Sequence, residues 1–199
     1  MANFTTLEGE NYENALAMLK DVTDILETYG IRYWLECGTL LGVIREGRLL
    51  PWDTDIDLYI LAEDVPLLRK AFWKLFFKGY RAKISRMKHD HFPLKKGEPR
   101  IAKVRNRDGL FHRGPLLIDI FIKHAPGDGF LYNILMNKGA CVVQKAPTDM
   151  LAESSAVDFG GKQYPVPAKY DEYLTYRYGD WRTPVKEWST YENDQSNCE

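Results

Sequence analysis

Residues Gly38 to Leu58 read GTLLGVIREGRLLPWDTDIDL. A Gly-Thr pair leads into an apolar patch closed by Arg45, and Pro51-Trp52 precede three aspartates, Asp53, Asp55 and Asp57, at alternating positions. From Asp55 the run Asp-Ile-Asp-Leu-Tyr-Ile-Leu is rich in β-formers and alternates polar with apolar residues, the pattern of a half-buried strand. Side chains two apart in a strand leave the same face, which puts Asp55 and Asp57 side by side. Adjacent carboxylates repel unless a cation neutralises them. Hard divalent ions such as Mg²⁺ do so, held by one or two carboxylates together with substrate phosphates. The stretch therefore points to metal-dependent chemistry on phosphate.

Upstream of it, apolar residues recur at three- and four-residue steps from Glu10 to Tyr29, which predicts an amphipathic helix stopped by Gly30. Ile31 to Cys37 reads as a short strand delivering the chain to Gly38, and Thr39 to Arg45 as a short helix with Thr39 near its N-cap. There Gly38 would let the backbone pass close to a ligand, and free amides at the helix start would take a phosphate. Downstream, Asp64 to Gly79 predicts a second helix, and Tyr80 to Lys88 and Ile101 to Arg107 predict strands. The run GPLLIDIFI (Gly114 to Ile122) is an apolar strand broken by one carboxylate, Asp119. A lone charge in such a run is costly unless paired or metal-bound, so Asp119 is the third candidate ligand. Leu131 to Lys145 gives mixed signals, and Met150 to Val166 suggests an irregular excursion or small hairpin. Ala168 to Tyr178 predicts a helix, and beyond Pro184 the polar chain is expected to fray.

The 199 residues suit a single domain, with a core over about 10–125, a C-terminal extension over about 126–185 and a polar tail over 186–199. A net charge of −1 argues against a general polycation. Basic residues do crowd between Lys78 and Arg107, and a local field of that sign attracts anionic ligands. Exposed aromatics are not interleaved with them, so no nucleic-acid partner is expected. Three scattered cysteines form no disulfide or zinc pattern and fit a reducing compartment. No run is apolar enough to span a membrane, and no leader pattern is visible. Nothing in the chain signals an oligomeric state.

The motifs together resemble those of a known family. LECGTLLGVIR (Leu35 to Arg45) followed by PWDTDIDL (Pro51 to Leu58) is similar to the signature of the LicD/fukutin-related family, within the nucleotidyltransferase superfamily. Pro167, Tyr170, Tyr173 and Leu174, and then Tyr178-Gly179-Asp180-Trp181, match its C-terminal elements. Where the family often has Asp, this chain has Thr54, on the strand face away from the ligands. The resemblance implies an α+β nucleotidyltransferase (polymerase-beta-like) fold: a small mixed sheet flanked by helices, with a C-terminal helical segment. It implies a phosphotransferase moving a phospho-alcohol, such as phosphocholine or a polyol phosphate, from a CDP-linked or other nucleotide donor to a saccharide or glycan hydroxyl. Asp55, Asp57 and Asp119 would be catalytic and would hold Mg²⁺, or Mn²⁺ in its place. Gly38, Thr39, Arg45, Lys103 and Arg105 would meet phosphate. Asp53 would brace the loop, and Trp52 would pack beneath the acidic strand. His91, Tyr178, Trp181 and Arg182 are candidates for the acceptor side. The expected setting is cytoplasmic, near the membrane face where glycan precursors are made. Transfer of a nucleoside monophosphate from a nucleoside triphosphate, with release of pyrophosphate, is the alternative reaction, and a non-catalytic binding or regulatory module is the alternative class.

Overall fold

The structure is a computed structural model that describes residues 6–109, 112–185 and 188–198. Helix α1, Glu10–Thr28, follows the sequence periodicity, with Ala15, Met18, Leu19, Val22, Ile25 and Leu26 buried along one stripe. Each large apolar side chain in that stripe contributes about 1.5–3 kcal/mol. Glu10 and Glu13 in the first turn face the positive end of the helix dipole. Strand β1 is only Trp34–Leu35, shorter than expected, because the Ile31 amide turns back to close α1 on the Leu26 carbonyl at 3.0 Å. Helix α2, Cys37–Glu46, begins two residues before Thr39, with Glu36 at its N-cap and Gly47 in the left-handed conformation (φ 65°) at its end. Thr39 thus lies inside the first turn and is not the cap.

Strand β2, Ile56–Leu61, follows the acidic loop, and a 3-10 turn at Ala62–Asp64 feeds helix α3, Val65–Lys78. Three strands complete the sheet: β3, Tyr80–Arg86; β4, Pro99–Asp108; and β5, His112–Lys123. The strand order is β1-β2-β5-β4-β3, with β2 and β5 parallel and the other pairs antiparallel. A parallel pair needs a crossover, and α3, β3 and β4 all lie within it. Ile56, Leu58 and Ile60 on β2, Ile118, Ile120 and Ile122 on β5, and Ala102 and Val104 on β4 are fully buried. They form the apolar sheet face, against which α1 and α3 pack. The alternate residues, among them Asp57, Asp119 and Lys103, point the other way.

The C-terminal part follows the sequence reading in the small hairpin after Met150 and the helix ending at Tyr178, and departs from it elsewhere. The ambiguous segment is a hairpin, β6, Phe130–Asn137, with β7, Ala140–Pro147. A short helix α4, Thr148–Leu151, leads to a second hairpin, β8, Ser154–Phe159, and β9, Lys162–Pro167. Gly160 and Gly161 both take positive φ at its turn, as a two-residue hairpin turn of the primed kind requires. The expected helical segment is one helix, α5, Tyr170–Tyr178. Nor does the polar tail fray. Strand β10, Asn197–Cys198, pairs with β7, and Asp194 and Ser196 are buried. The cause is Arg177, buried on α5, whose charge needs the carboxylate that Asp194 brings back from the tail.

Candidate active site

Parallel pairing sets Asp57 opposite Asp119, and antiparallel pairing sets Asp119 opposite Lys103. The three residues therefore form one row across β2, β5 and β4 and leave the same face of the sheet. Asp55, one residue before β2, joins them in lining a cleft of about 630 Å³. Gly38, Arg45, Asp53 and Arg100 line the same cleft, and Tyr178, Asp180, Trp181 and Tyr191 form its C-terminal wall.

The row carries more negative charge than its surroundings balance. Lys103 donates from Nζ to Asp119 Oδ2 at 2.6 Å, while Asp119 Oδ1 is buried with no partner. Burial, and then the charges of Asp119 and Asp53, push the Asp55 carboxyl up to about 7. Asp57 is held well above the usual carboxylate range by burial first and by Asp55 next. Burial also raises Asp119, against the pull of Lys103, Arg105 and Arg100. Several hard oxygen donors, one of them orphaned, fit a divalent cation such as Mg²⁺ or Mn²⁺. Among the described residues no three His, Cys, Asp or Glu side chains stand as a closed ligand set, and the Lys103 ammonium takes up one oxygen of Asp119.

The loop before β2 is pinned to the start of α2. A Cβ on Gly38 would collide with Asp53 Oδ2, so this carboxylate packs directly on the glycine. Asp53 is tied into the loop: its backbone joins Leu7 and Leu50, and its Oδ1 accepts from the Thr54 amide at 3.3 Å. Gly42 is equally constrained, since a Cβ there would lie 2.6 Å from the Arg48 carbonyl. Thr39 differs from expectation. It is buried, and its Oγ1 accepts from the Asp57 amide at 2.8 Å, so the hydroxyl fastens α2 to β2 and does not face phosphate. Trp52 does not pack beneath the acidic strand. It is 60% exposed at the rim of the cleft, because the turn at Pro51-Trp52 carries its ring outward.

Arg45 does reach the cleft, where it donates to the Trp181 carbonyl at 3.2 Å and pairs with Glu46. Arg105 lies two residues along from Lys103, half-buried and outside the cleft lining, and adds positive charge near Asp55 and Asp119. His91 is not brought to the site: it is exposed and bridged to Leu94 in the β3–β4 connection. Tyr178 and Trp181 line the cleft, whereas Arg182 lies outside the lining, covers the Trp181 ring and pairs with Asp171.

Two features escaped the sequence. Arg100 sits where β3 and β4 fall out of register, and the irregularity re-aims it into the cleft, where it also donates to the Ile134 carbonyl at 3.2 Å. Behind α2 lies a buried charge network. Glu36 Oε1 accepts from Lys123 (3.2 Å), Tyr173 (2.6 Å) and Arg177 (2.7 Å), and Arg177 also binds Asp194. Glu36 in IRYWLEC and Lys123 at the end of LLIDIFIK are lone charges beside apolar runs, the same signal that singled out Asp119.

Residues 30–169 match the profile described as LicD/FKTN/FKRP, nucleotidyltransferase domain. The chain belongs to the LicD family. The match takes in the acidic loop, Lys103 and Asp119, and ends before Tyr178, Trp181 and Asp194. The mixed sheet and flanking helices are accordingly a nucleotidyltransferase fold. Among relatives of this LicD-family chain, the ribitol 5-phosphate transferase FKRP of Homo sapiens is 37% identical over 108 residues, 46% of this chain and 22% of that protein. The lipopolysaccharide cholinephosphotransferase LicD of Haemophilus influenzae is 27% identical over 110 residues, 49% of this chain and 37% of that protein. The ribitol-5-phosphate transferase FKTN of Homo sapiens is 26% identical over 199 residues, 94% of this chain and 39% of that protein. The chain thus spans less than half the length of each of these relatives.

Proposed function

We propose that this LicD-family protein is a divalent-cation-dependent phosphotransferase that moves a phospho-alcohol from a CDP-linked donor to a glycan hydroxyl. The observation that carries the reading is the in-register row of Asp57 and Asp119, joined by Asp55 in one cleft and short of balancing positive charge. The printed names of FKRP and LicD, a ribitol 5-phosphate transferase and a cholinephosphotransferase, favour a phospho-alcohol as the group moved.

In this reading Asp55, Asp57 and Asp119 hold Mg²⁺ or Mn²⁺, which supplies charge neutralisation on the donor phosphates and on the departing nucleotide. Lys103 and Arg100, both on the cleft wall, steady those phosphates as point charges. The acceptor oxygen bonds to the alcohol-bearing phosphorus, the bond from that phosphorus to the bridging oxygen breaks, and CMP leaves with the electron pair. Where the cation rests on Asp55 and Asp57 alone, Asp119 Oδ1, which has no partner, takes the acceptor proton. Tyr178 and Trp181 wall the side from which the acceptor enters.

A second reading draws on the description of the matched domain as a nucleotidyltransferase: transfer of a nucleoside monophosphate from a triphosphate. One experiment separates the two. The protein is incubated with Mg²⁺ and with CDP-choline, CDP-ribitol, CDP-glycerol or CTP, each with a saccharide acceptor, and the released nucleotide is identified by chromatography. Release of CMP from one CDP conjugate is expected. Pyrophosphate from CTP favours the second reading, and the absence of both binding and turnover with every CDP conjugate removes the first.

A further inference from the structure

Helix α3 buries Val65, Leu68, Ala71 and Leu75, yet its far side is not the usual solvated polar face. Trp73 is 70% exposed and Phe77 is 79% exposed, one turn apart, with Phe76 at 40% beside them. The rings pack on each other, with Trp73 and Phe77 centroids 6.4 Å apart and Phe76 edge-on to Phe77 at 5.8 Å. Scattered exposed apolar residues need no explanation, but three clustered aromatics on one helix mark a contact surface.

The charge that the helix itself carries around the cluster is positive. Arg69, Lys70, Lys74 and Lys78 on the helix are all exposed. No carboxylate occurs in the sequence from Val65 to His89. Lys78 reaches Asp21 on α1 at 3.1 Å, and Arg107 stacks over the Phe76 ring at 4.4 Å. None of Trp73, Phe76 and Phe77 lines the catalytic cleft.

We propose that this face of α3 docks the protein on an anionic lipid bilayer. A helix with tryptophan and phenylalanine on its outer side and lysine and arginine at the flanks lies in the membrane interface, rings among the acyl boundary and cations at the headgroups. No helix among the described residues is long and apolar enough to cross a membrane, and the docking proposed here is that of the α3 face alone. Charge decides against a second copy of the chain as the occupant. A two-fold contact would set this basic patch against itself. Single-stranded nucleic acid is less favoured, because the three rings form one contiguous apolar patch on a helix and not platforms spaced along a groove that tracks a backbone. The inference does not rest on the proposed activity.

The test is flotation of the full chain with vesicles of phosphatidylcholine alone and with phosphatidylglycerol added. Binding to the anionic vesicles, weakened by salt, is expected. Trp73→Ala with Phe77→Ala should lower the partition coefficient by at least about tenfold, the loss of two inserted rings. Lys70→Glu with Lys74→Glu should lower it by at least about twentyfold, at about fivefold for each cation. Far-UV circular dichroism checks that the variants remain folded, and the salt dependence of the unaltered protein gives a reading that needs no variant. Failure to bind anionic vesicles overturns the proposal. So does a dimer in light scattering that the aromatic pair of substitutions dissolves, or oligonucleotide binding that this pair abolishes while vesicle binding persists.

Discussion

Asp57 shows how a residue proposed to be catalytic can work against the stability of its own fold. Its carboxyl is buried beside Asp55 and Asp119, and among the described residues only Lys103 offers a close ion pair to the row. Replacing it by Asn keeps the shape and removes a carboxyl that burial and Asp55 hold out of its preferred ionised state. Asp57→Asn should therefore raise the melting temperature of the cation-free protein, by the equivalent of about 1 kcal/mol. Turnover should fall by at least about a hundredfold, since even residues that merely orient metal ligands cost up to that much. Calorimetry in EDTA and in Mg²⁺ checks both sides: the parent protein gains stability from the ion and the variant does not. The pH dependence has a definite sign. Folded, cation-free Asp55 keeps its proton to about pH 7, whereas an unfolded aspartate releases it near about 4. In that window the folded state holds the extra proton, so stability falls as pH rises through it, and added Mg²⁺ should restore most at the alkaline end. A cation-free melting temperature that rose across this window would contradict the assignment.

Among the elements, α5 and the tail determine how the cleft is closed. Arg177 is buried between Glu36, at the start of α2, and Asp194, in the tail. Asp194→Ala leaves that guanidinium short of a partner and should cost about 3–5 kcal/mol. Thermal denaturation measures the loss, and limited proteolysis should cut the released tail first. Burial alone would raise the Asp194 carboxyl, but Arg177 and the bonds from Ser196 outweigh it and hold it below the usual range. Its contribution is therefore complete above about pH 4 and lost as pH falls below that. At this scale the sequence was legible where periodicity ran long. Glu10 to Thr28 and Val65 to Lys78 appear almost as read, and the apolar run around Asp119 is the central strand. It was illegible where a polar residue answers a distant partner. Nothing near Asp194 announces Arg177, and Trp52 looked like core only because an aromatic beside a strand usually packs there. Thr39 resembled a cap by type, yet its hydroxyl serves the next strand.

At the scale of the whole molecule, the carboxylate row was half legible. The spacing of Asp55 and Asp57 is local and could be read directly. Their meeting with Asp119 and Lys103 is a property of sheet order, which the lone charge at Asp119 hinted at without giving the register. The row depends on β5 lying parallel to β2, with α3, β3 and β4 looped out between them. Closing so long a loop is slow and is repaid only by contacts that form late. No local fluctuation can then take Asp119 from Asp57 while the rest stays intact. Native-state hydrogen exchange should show it: the amides of Ile118 to Ile122 should open only with the entire domain, at the global unfolding free energy, whereas those of the β8–β9 hairpin exchange through smaller openings. A ligand that draws the acids together thus acts as a clamp on the last step of folding, and its grip is measured by how rarely the central strand breathes.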